Sequence, residues 1–307
     1  MGGIVARSEE DLMADVIRVG IIGLDTSHAI EFPRRMQAPD LDPGLHVEGL
    51  RAATCLRFVT PFQNEEQLDG RQAELERWGV RVTRKLEDAL EGVDALMLEI
   101  NDPAFHLDYF RRCAGLGKPI FLDKPLADTL AAGRRMAEIA REHGTRWWSS
   151  SSLRHVPAVR EACAAVRKPS AAIVYGPLGK APAGSSIVWY GVHAFEMLEA
   201  ALGRGARSVL TRQDSLGAVA VVDYPDQRRA VVELTEGSWI YGGYLREREK
   251  AHHFVADLTR AYTEQLVAIR EFFRGGPPPV AAEDALEVMG MLDAAERSLA
   301  SGKPEVV

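Results

Sequence analysis

The chain has 307 residues, with 44 acidic and 37 basic side chains and a formal charge of −7. At 46% apolar and 26% charged it has a globular composition, which excludes collagen-like, coiled-coil and disordered classes. The length predicts about two domains. The acidic balance argues against nucleic acid as the main partner, because phosphate neutralisation needs a basic surface.

Cys55, Cys113 and Cys163 are far apart and form no C-x-x-C pair. Neither a disulfide framework nor a thiolate zinc site is expected, and the chain suits a reducing cytoplasm. Residues 1–15 carry Glu9, Glu10, Asp11 and Asp15 and lack a basic start followed by an apolar run. They read as a loose leader rather than a secretory signal. No stretch approaches the ~20 apolar residues of a membrane span, so no membrane partner is expected.

In chain order, residues 17–23 (IRVGIIG) are a buried strand that ends in a sharp turn. A second strand is expected over Leu45–Leu50, after Pro43-Gly44. Asn64 to Gln67 has capping-box form and opens a helix carrying Leu68 and Leu75. Val80–Val82 is a short strand, Leu86–Leu90 a short helix and Asp94–Ile100 a strand. A helix follows over Ala104–Leu116, then a strand at Pro119–Leu122. The next helix runs over Thr129–His143 with Asp128 as its N-cap, and Arg146–Ser149 is one more strand. This alternation predicts a doubly wound parallel sheet over residues 1–150, with ligands at the carboxyl ends of its strands.

After Ser149 the pattern changes. Helices are expected at Pro157–Val166 and His193–Leu202, around a strand at Ala171–Tyr175 and a Gly/Pro-rich loop. Strand-like runs follow at Ser208–Thr211, Ala218–Asp223, Ala230–Leu234 and, more weakly, Trp239–Leu245. Helices at Tyr262–Phe273 and Ala282–Ser298 close the chain. Residues 151–307 therefore read as an α+β domain with a mainly antiparallel sheet.

The first strand ends in Gly23-Leu-Asp-Thr-Ser-His28. A G-x-G-x-x-G dinucleotide fingerprint would place glycines at 23, 25 and 28, and only Gly23 is present. Asp25 sets a carboxylate where a pyrophosphate belongs, a repulsion of ~1–4 kcal/mol at surface-like dielectric. Pro33 either lies inside a helix that begins at Ser27, at about 3 kcal/mol, or moves the helix start away from the turn. Arg51 is either a solvated arginine or a contact for a ribose 2′-phosphate. Glu99 ends an apolar strand, so it is either paired or faces a ligand crevice. Asp123-Lys124-Pro125 is either a surface turn or a strand end that delivers a lysine to the cleft. Arg154 either binds a substrate anion bidentately or forms an interdomain ion pair. Ser149 to Ser152 either donate into the crevice or form an ordinary loop. His252 and His253 are adjacent on a strand and point to opposite faces, so no shared metal ion is expected there or elsewhere.

Taken together, VGIIGLD, the strand followed by NDPAFH, GKPIFLDKPLADT, WYGVHAFEMLEAALG and the closing EFFRGGPPPVAAEDALEVMGMLDAAERSLASGKP resemble the glucose–fructose oxidoreductase/inositol dehydrogenase (Gfo/Idh/MocA) family over residues 17–307. More narrowly, GLDTSH, SSSSLRH and WYGxHxxEM are similar to a subgroup of that family in which the glycine fingerprint is degenerate. The resemblance implies an N-terminal Rossmann-like domain and a C-terminal α+β domain that often mediates oligomerisation. It also implies NAD or NADP as cofactor, a sugar or polyol substrate and a homo-oligomer. Its Glu-Lys-Pro triplet matches Asp123, Lys124 and Pro125, giving Lys124 a catalytic and cofactor-orienting role. Its proton-transferring histidine matches His193, while Trp189 replaces the aspartate of that motif.

By the same resemblance, Gly23, Asp25, Thr26, Ser27, His28, Asn101, His106, Asp123, Lys124 and Pro125 are cofactor-side residues, and Arg51 and Glu99 join them by their positions at strand ends. Arg154, Trp189, Tyr190, His193 and Glu196 lie on the substrate side, with Glu196 supporting His193. The alternative is a protein of the same fold without hydride chemistry: a metabolite-binding protein, or an acid–base lyase or epimerase.

Overall fold

The computed structural model describes residues 16–307; the leader expected over residues 1–15 lies outside them. Six short strands form the first sheet: β1 (Ile17–Ile22), β2 (Leu50–Leu56), β3 (Arg81–Thr83), β4 (Ala95–Leu98), β5 (Ile120–Leu122) and β6 (Trp147–Ser149). All pair in parallel, in the order β3-β2-β1-β4-β5-β6. The intervening helices are α1 (His28–Gln37), α2 (Glu65–Arg77), α3 (Leu86–Leu90), α4 (His106–Ala114) and α5 (Leu130–His143). Winding reverses between β1 and β4, and a crevice opens at such a reversal. Side chains alternate across β1: Val19 and Ile21 enter one apolar cluster, while Ile22 enters the other.

The second strand differs from the sequence expectation. Leu45 closes a 3-10 turn, and Val47 docks against the end of α1 through its amide and the Arg35 carbonyl. The strand itself starts at Leu50, where Ile17 of β1 pairs with it. Pro43 and Gly44 open that 3-10 turn rather than a strand, and the run LRAATCL, five of whose seven residues are apolar, is the segment that pairs with β1. Thr129, not Asp128, caps α5, its hydroxyl accepting from the Ala132 amide. Pro33 does lie inside α1, and the helix still begins at His28, so its N-terminus stays at the turn.

The second sheet has seven strands: β7 (Ala171–Pro177), β8 (Ser208–Gln213), β9 (Gly217–Asp223), β10 (Arg229–Thr235), β11 (Gly242–Glu247), β12 (Lys250–Val255) and β13 (Glu305–Val306). Their order is β12-β11-β7-β10-β9-β8-β13, and the β7–β10 pair alone is parallel. The charged run Arg246–Lys250 makes the β11–β12 hairpin turn, with Arg248 left-handed at φ 48°. Helices α6 (Pro157–Ala165), α7 (Val192–Leu202) and α9 (Ala282–Ser301) belong to this half, with α7 against β7 and β10, and α9 against β8.

Helix α8 (Ala261–Phe273) crosses back, packing on α1 and on the turn at Ser152–His155. Its Leu266, Ile269 and Phe272 enter the cluster that holds Phe121 and Trp148. Trp148 is fully buried and meets Phe272 edge-on with ring centroids 6.4 Å apart. Burial of one such large side chain stabilises by about 1.5–3 kcal/mol. The carboxyl ends of the first sheet are thus walled by α8 and by the segment before α7.

Candidate active site

The turn after β1 sets the floor of the crevice. Gly23 has φ 108°, and a Cβ there would stand 2.2 Å from the Glu99 carbonyl oxygen, so only glycine fits. Asp25 is buried and turned back from the helix start. Its carboxylate accepts from the Asn101 amide (2.8 Å) and from the Thr60 hydroxyl (2.7 Å). Burial raises its pKa despite these bonds. The repulsion expected of Asp25 toward an anion at the helix start is therefore reduced, because the carboxylate is anchored elsewhere. Arg71 donates to the Leu24 and Thr26 carbonyls and braces the turn from behind. Ser27 makes no side-chain cap bond to α1, the His28 amide donates to the Thr26 hydroxyl at 3.2 Å, and Thr26, Ser27 and His28 all line a cavity.

That cavity, of about 270 Å³, is lined from the parallel sheet by Thr26, Ser27, His28, Asn101 and Lys124. The second half contributes Ser152, Trp189, Tyr190, His193, Trp239 and Tyr241, and α8 contributes Tyr262. Lys124 follows β5 directly, and its amide donates to the Asp123 carboxylate at 2.7 Å. Its bond to Pro125 is cis. His193 sits in the first turn of α7, with Nδ1 2.6 Å from the Ser151 hydroxyl oxygen. Ser151 in turn accepts from the Leu153 amide. Burial first, and then the nearby Lys124 and His28 side chains, hold His193 well below the usual imidazole pKa, so its ring is neutral at pH 7. With Nδ1 engaged, Nε2 is the nitrogen left for the cavity.

Trp189 bridges the two halves. Its indole N–H donates to the Asn101 side-chain oxygen at 2.8 Å, and its ring packs on Phe62 at 5.2 Å. Where the sequence pattern lacks an aspartate, an aromatic residue narrows the crevice.

Several expected site residues lie elsewhere. Arg51 is the second residue of β2, at its amino end, so it faces away from the crevice. The β2 carboxyl end instead leads to Arg57, which is buried and paired with Glu65 and Asp69. Arg154 is consumed by Glu196 (2.6 Å) and Glu199, all three nearly buried. Arg154 and Glu196 therefore form the structural ion pair and do not line the cavity. The support for His193 comes from Ser151, not Glu196. His106 is fully buried, its nitrogens meeting the Leu126 and Ile100 carbonyls, so it ties two loops together rather than lining the crevice. Glu99 and Asp123 lie behind His28, with Asp123 2.8 Å from His28 Nδ1. Pro125 is likewise buried outside the cavity lining.

Sequence reading missed Trp239, Tyr241, Leu258, Ala261 and Tyr262 as lining residues. They come from a weakly patterned segment and a helix start, and only packing brings them to β1. Ser152 carried a signal, the serine run after β6.

The lysine and the histidine line a cavity at the strand reversal, the position where parallel α/β sheets bind small molecules. Residues 17–151 match the model of the oxidoreductase family with an NAD-binding Rossmann fold, Gfo/Idh/MocA. No curated protein sequence matches the chain significantly. Among solved structures, it is similar to a probable dehydrogenase from Thermotoga maritima, at 16% identity and a TM-score of 0.76, covering 94% of this chain and 98% of that one. It is also similar to scyllo-inositol dehydrogenase from Lactobacillus casei with bound NAD(H) and scyllo-inositol, at 13% identity and a TM-score of 0.77, covering 95% and 99%. GenD2 from gentamicin A biosynthesis, in complex with NAD, aligns at 17% identity and a TM-score of 0.76 over 99% of each chain. At these identities the likeness establishes the fold. Among the described residues no helix is long and apolar enough to cross a membrane.

Proposed function

We propose that the protein is an NAD(P)-dependent oxidoreductase acting on a sugar, a polyol or a related hydroxy or keto metabolite. The observation that carries this reading is Lys124 and a neutral His193 in one cavity at the N-terminus of α1. The residues present fit the pyrophosphate end of a dinucleotide, because Gly23 keeps the tight turn, Asp25 is turned back and the N-terminus of α1 opens on the cavity lined by Thr26, Ser27 and His28. Thr26, Ser27, Asn101 and Lys124 are placed to hold the cofactor. When bound, the nicotinamide supplies the hydride acceptor or donor.

The remaining steps belong to the chain. His193 Nε2 takes the substrate hydroxyl proton during oxidation and returns it during reduction. Ser151 fixes the imidazole ring, serving Nδ1 as either hydrogen-bond partner. Lys124 donates to the reacting oxygen and stabilises negative charge developing on it. Trp189, Tyr190, Trp239 and Tyr241 form flat walls that suit a ring-shaped substrate. We also read the open face of the second sheet, where Ile173, Val219 and Val255 are exposed, as a homo-oligomer contact.

One observation favours the second reading, a metabolite-binding protein or an acid–base lyase or epimerase: the cavity is small and the Trp189–Asn101 bond narrows it. Titration with NADH and NADPH, by calorimetry and nicotinamide fluorescence, separates the two. Micromolar binding supports the oxidoreductase. No binding at millimolar cofactor overturns it in favour of the second reading. Turnover lost in folded Lys124→Ala and His193→Ala then tests the catalytic roles, and normal turnover in both removes them.

A further inference from the structure

Directly behind the cavity, three elements of the parallel sheet converge. His28 comes from the first turn of α1, Glu99 from the end of β4 and Asp123 from the end of β5. Their exposures are 4%, 0% and 0%. His28 Nδ1 lies 2.8 Å from Asp123 Oδ1 and 4.0 Å from Glu99 Oε2. One donor atom from each residue falls within 4.8 Å of the other two. Both Glu99 oxygens and Asp123 Oδ2 are buried with no hydrogen-bond partner.

Three orphaned carboxylate oxygens in one fully buried cluster are a large deficit, because an unpaired buried charge is among the costliest features a fold can carry. Among the described residues, the ion pairs these two carboxylates make within 4.0 Å are both with the same imidazole, and the Lys124 ammonium is the further positive charge that acts on both. A single proton shared between the carboxyl groups satisfies at most two of the three oxygens. A divalent cation satisfies the set and offsets both negative charges. The donor spacings bracket the roughly 3–4 Å expected between atoms that each lie about 2.1 Å from one ion.

We propose that His28, Glu99 and Asp123 form a binding site for a divalent transition-metal ion. One imidazole nitrogen with two carboxylates suits manganese, iron(II) or zinc rather than copper(I) or calcium. Metal binding replaces the His28–Asp123 hydrogen bond with coordination from Nδ1, and the Nδ1 proton leaves to solvent. The imidazole is held for this by Tyr262 and Phe32, at 4.8 and 5.6 Å between ring centroids. His28 also lines the cavity, which gives the ion its route in. The site stands on the geometry of the cluster and holds whether or not a dinucleotide binds.

The test uses the full chain, stripped with a chelator and titrated with Mn²⁺, Zn²⁺ and Co²⁺ without nucleotide, by calorimetry and elemental analysis. One ion per chain and a raised Tm are expected. Glu99→Gln and His28→Gln should each weaken binding about tenfold or more. The double variant His252→Ala/His253→Ala, on the surface hairpin, should bind as the wild type does. In the wild-type protein, Mn²⁺ should broaden the His28 ring resonances, a readout that does not depend on the variants folding. Absence of binding by the stripped wild type, equal affinity in Glu99→Gln and His28→Gln, or unbroadened His28 resonances would each overturn the site.

Discussion

Arg154 offers the sharpest test of the electrostatics. Its guanidinium is 13% exposed and bridges the carboxylates of Glu196 and Glu199, each 4% exposed. Arg154→Ala leaves two adjacent carboxylates in the interior with no counter-ion. Breaking a buried pair in this way costs about 3–5 kcal/mol. For a chain of this size the corresponding fall in Tm is on the order of 10 °C.

The effect should also depend on pH. Burial already raises the Glu196 pKa, and removing Arg154 removes the group that opposes the rise. A carboxyl whose folded pKa lies above its unfolded value binds more protons when folded, so its stabilising contribution is present in acid and lost as pH rises. The gap between wild type and variant should therefore widen from pH 5 to pH 8. Urea unfolding at several pH values measures it. A loss below about 1 kcal/mol at pH 8, or a gap that narrows with pH, would refute the buried-charge argument.

The same reasoning extends to the cavity. His193 is held well below the usual imidazole value, so oxidation should stay pH-independent downward through about pH 6.5 and fail only in more acid solution. A rate that falls with an apparent pKa at or above about 6.5 would contradict a neutral base in the free enzyme. Ser151→Ala should lower kcat about tenfold with little change in KM, since the ring loses its orienting partner while substrate contacts remain; an unchanged kcat returns Ser151 to a loop-capping role. Trp189→Phe removes the indole bond to Asn101 while keeping an aromatic ring, and should tighten or accelerate dinucleotide binding in stopped-flow titration. Slower and weaker binding would mean that the bridge organises the crevice rather than narrowing it.

The alternation of short apolar runs with amphipathic helices was readable because strand and helix periods differ and each element carries its own turn residues. Thus Asn64 and Gln67 announced α2, which opens with the reciprocal cap they imply. β2 was misplaced because Pro43-Gly44 was read as the break before a strand, whereas it opens a 3-10 turn and the strand starts at Leu50. Lys124, Asn101 and His193 were legible as candidates through the family resemblance, which matches them to named positions of its motifs. Arg51 and Arg154 stayed open between two readings, and Glu196 was assigned to His193, because residue type does not disclose which end of a strand a side chain occupies, or which carboxylates have already claimed a guanidinium.

By itself, then, the sequence determined the order of the elements, the two sheet types and the residues at the ends of the parallel strands, all of which follow from local periodicity. Tertiary structure alone decided that Ser151 rather than Glu196 orients His193, that Trp189 reaches Asn101, and that His28, Glu99 and Asp123 meet behind the cavity. These contacts join residues tens of positions apart, and whether a buried polar group is satisfied or orphaned depends on what the folded chain brings to it.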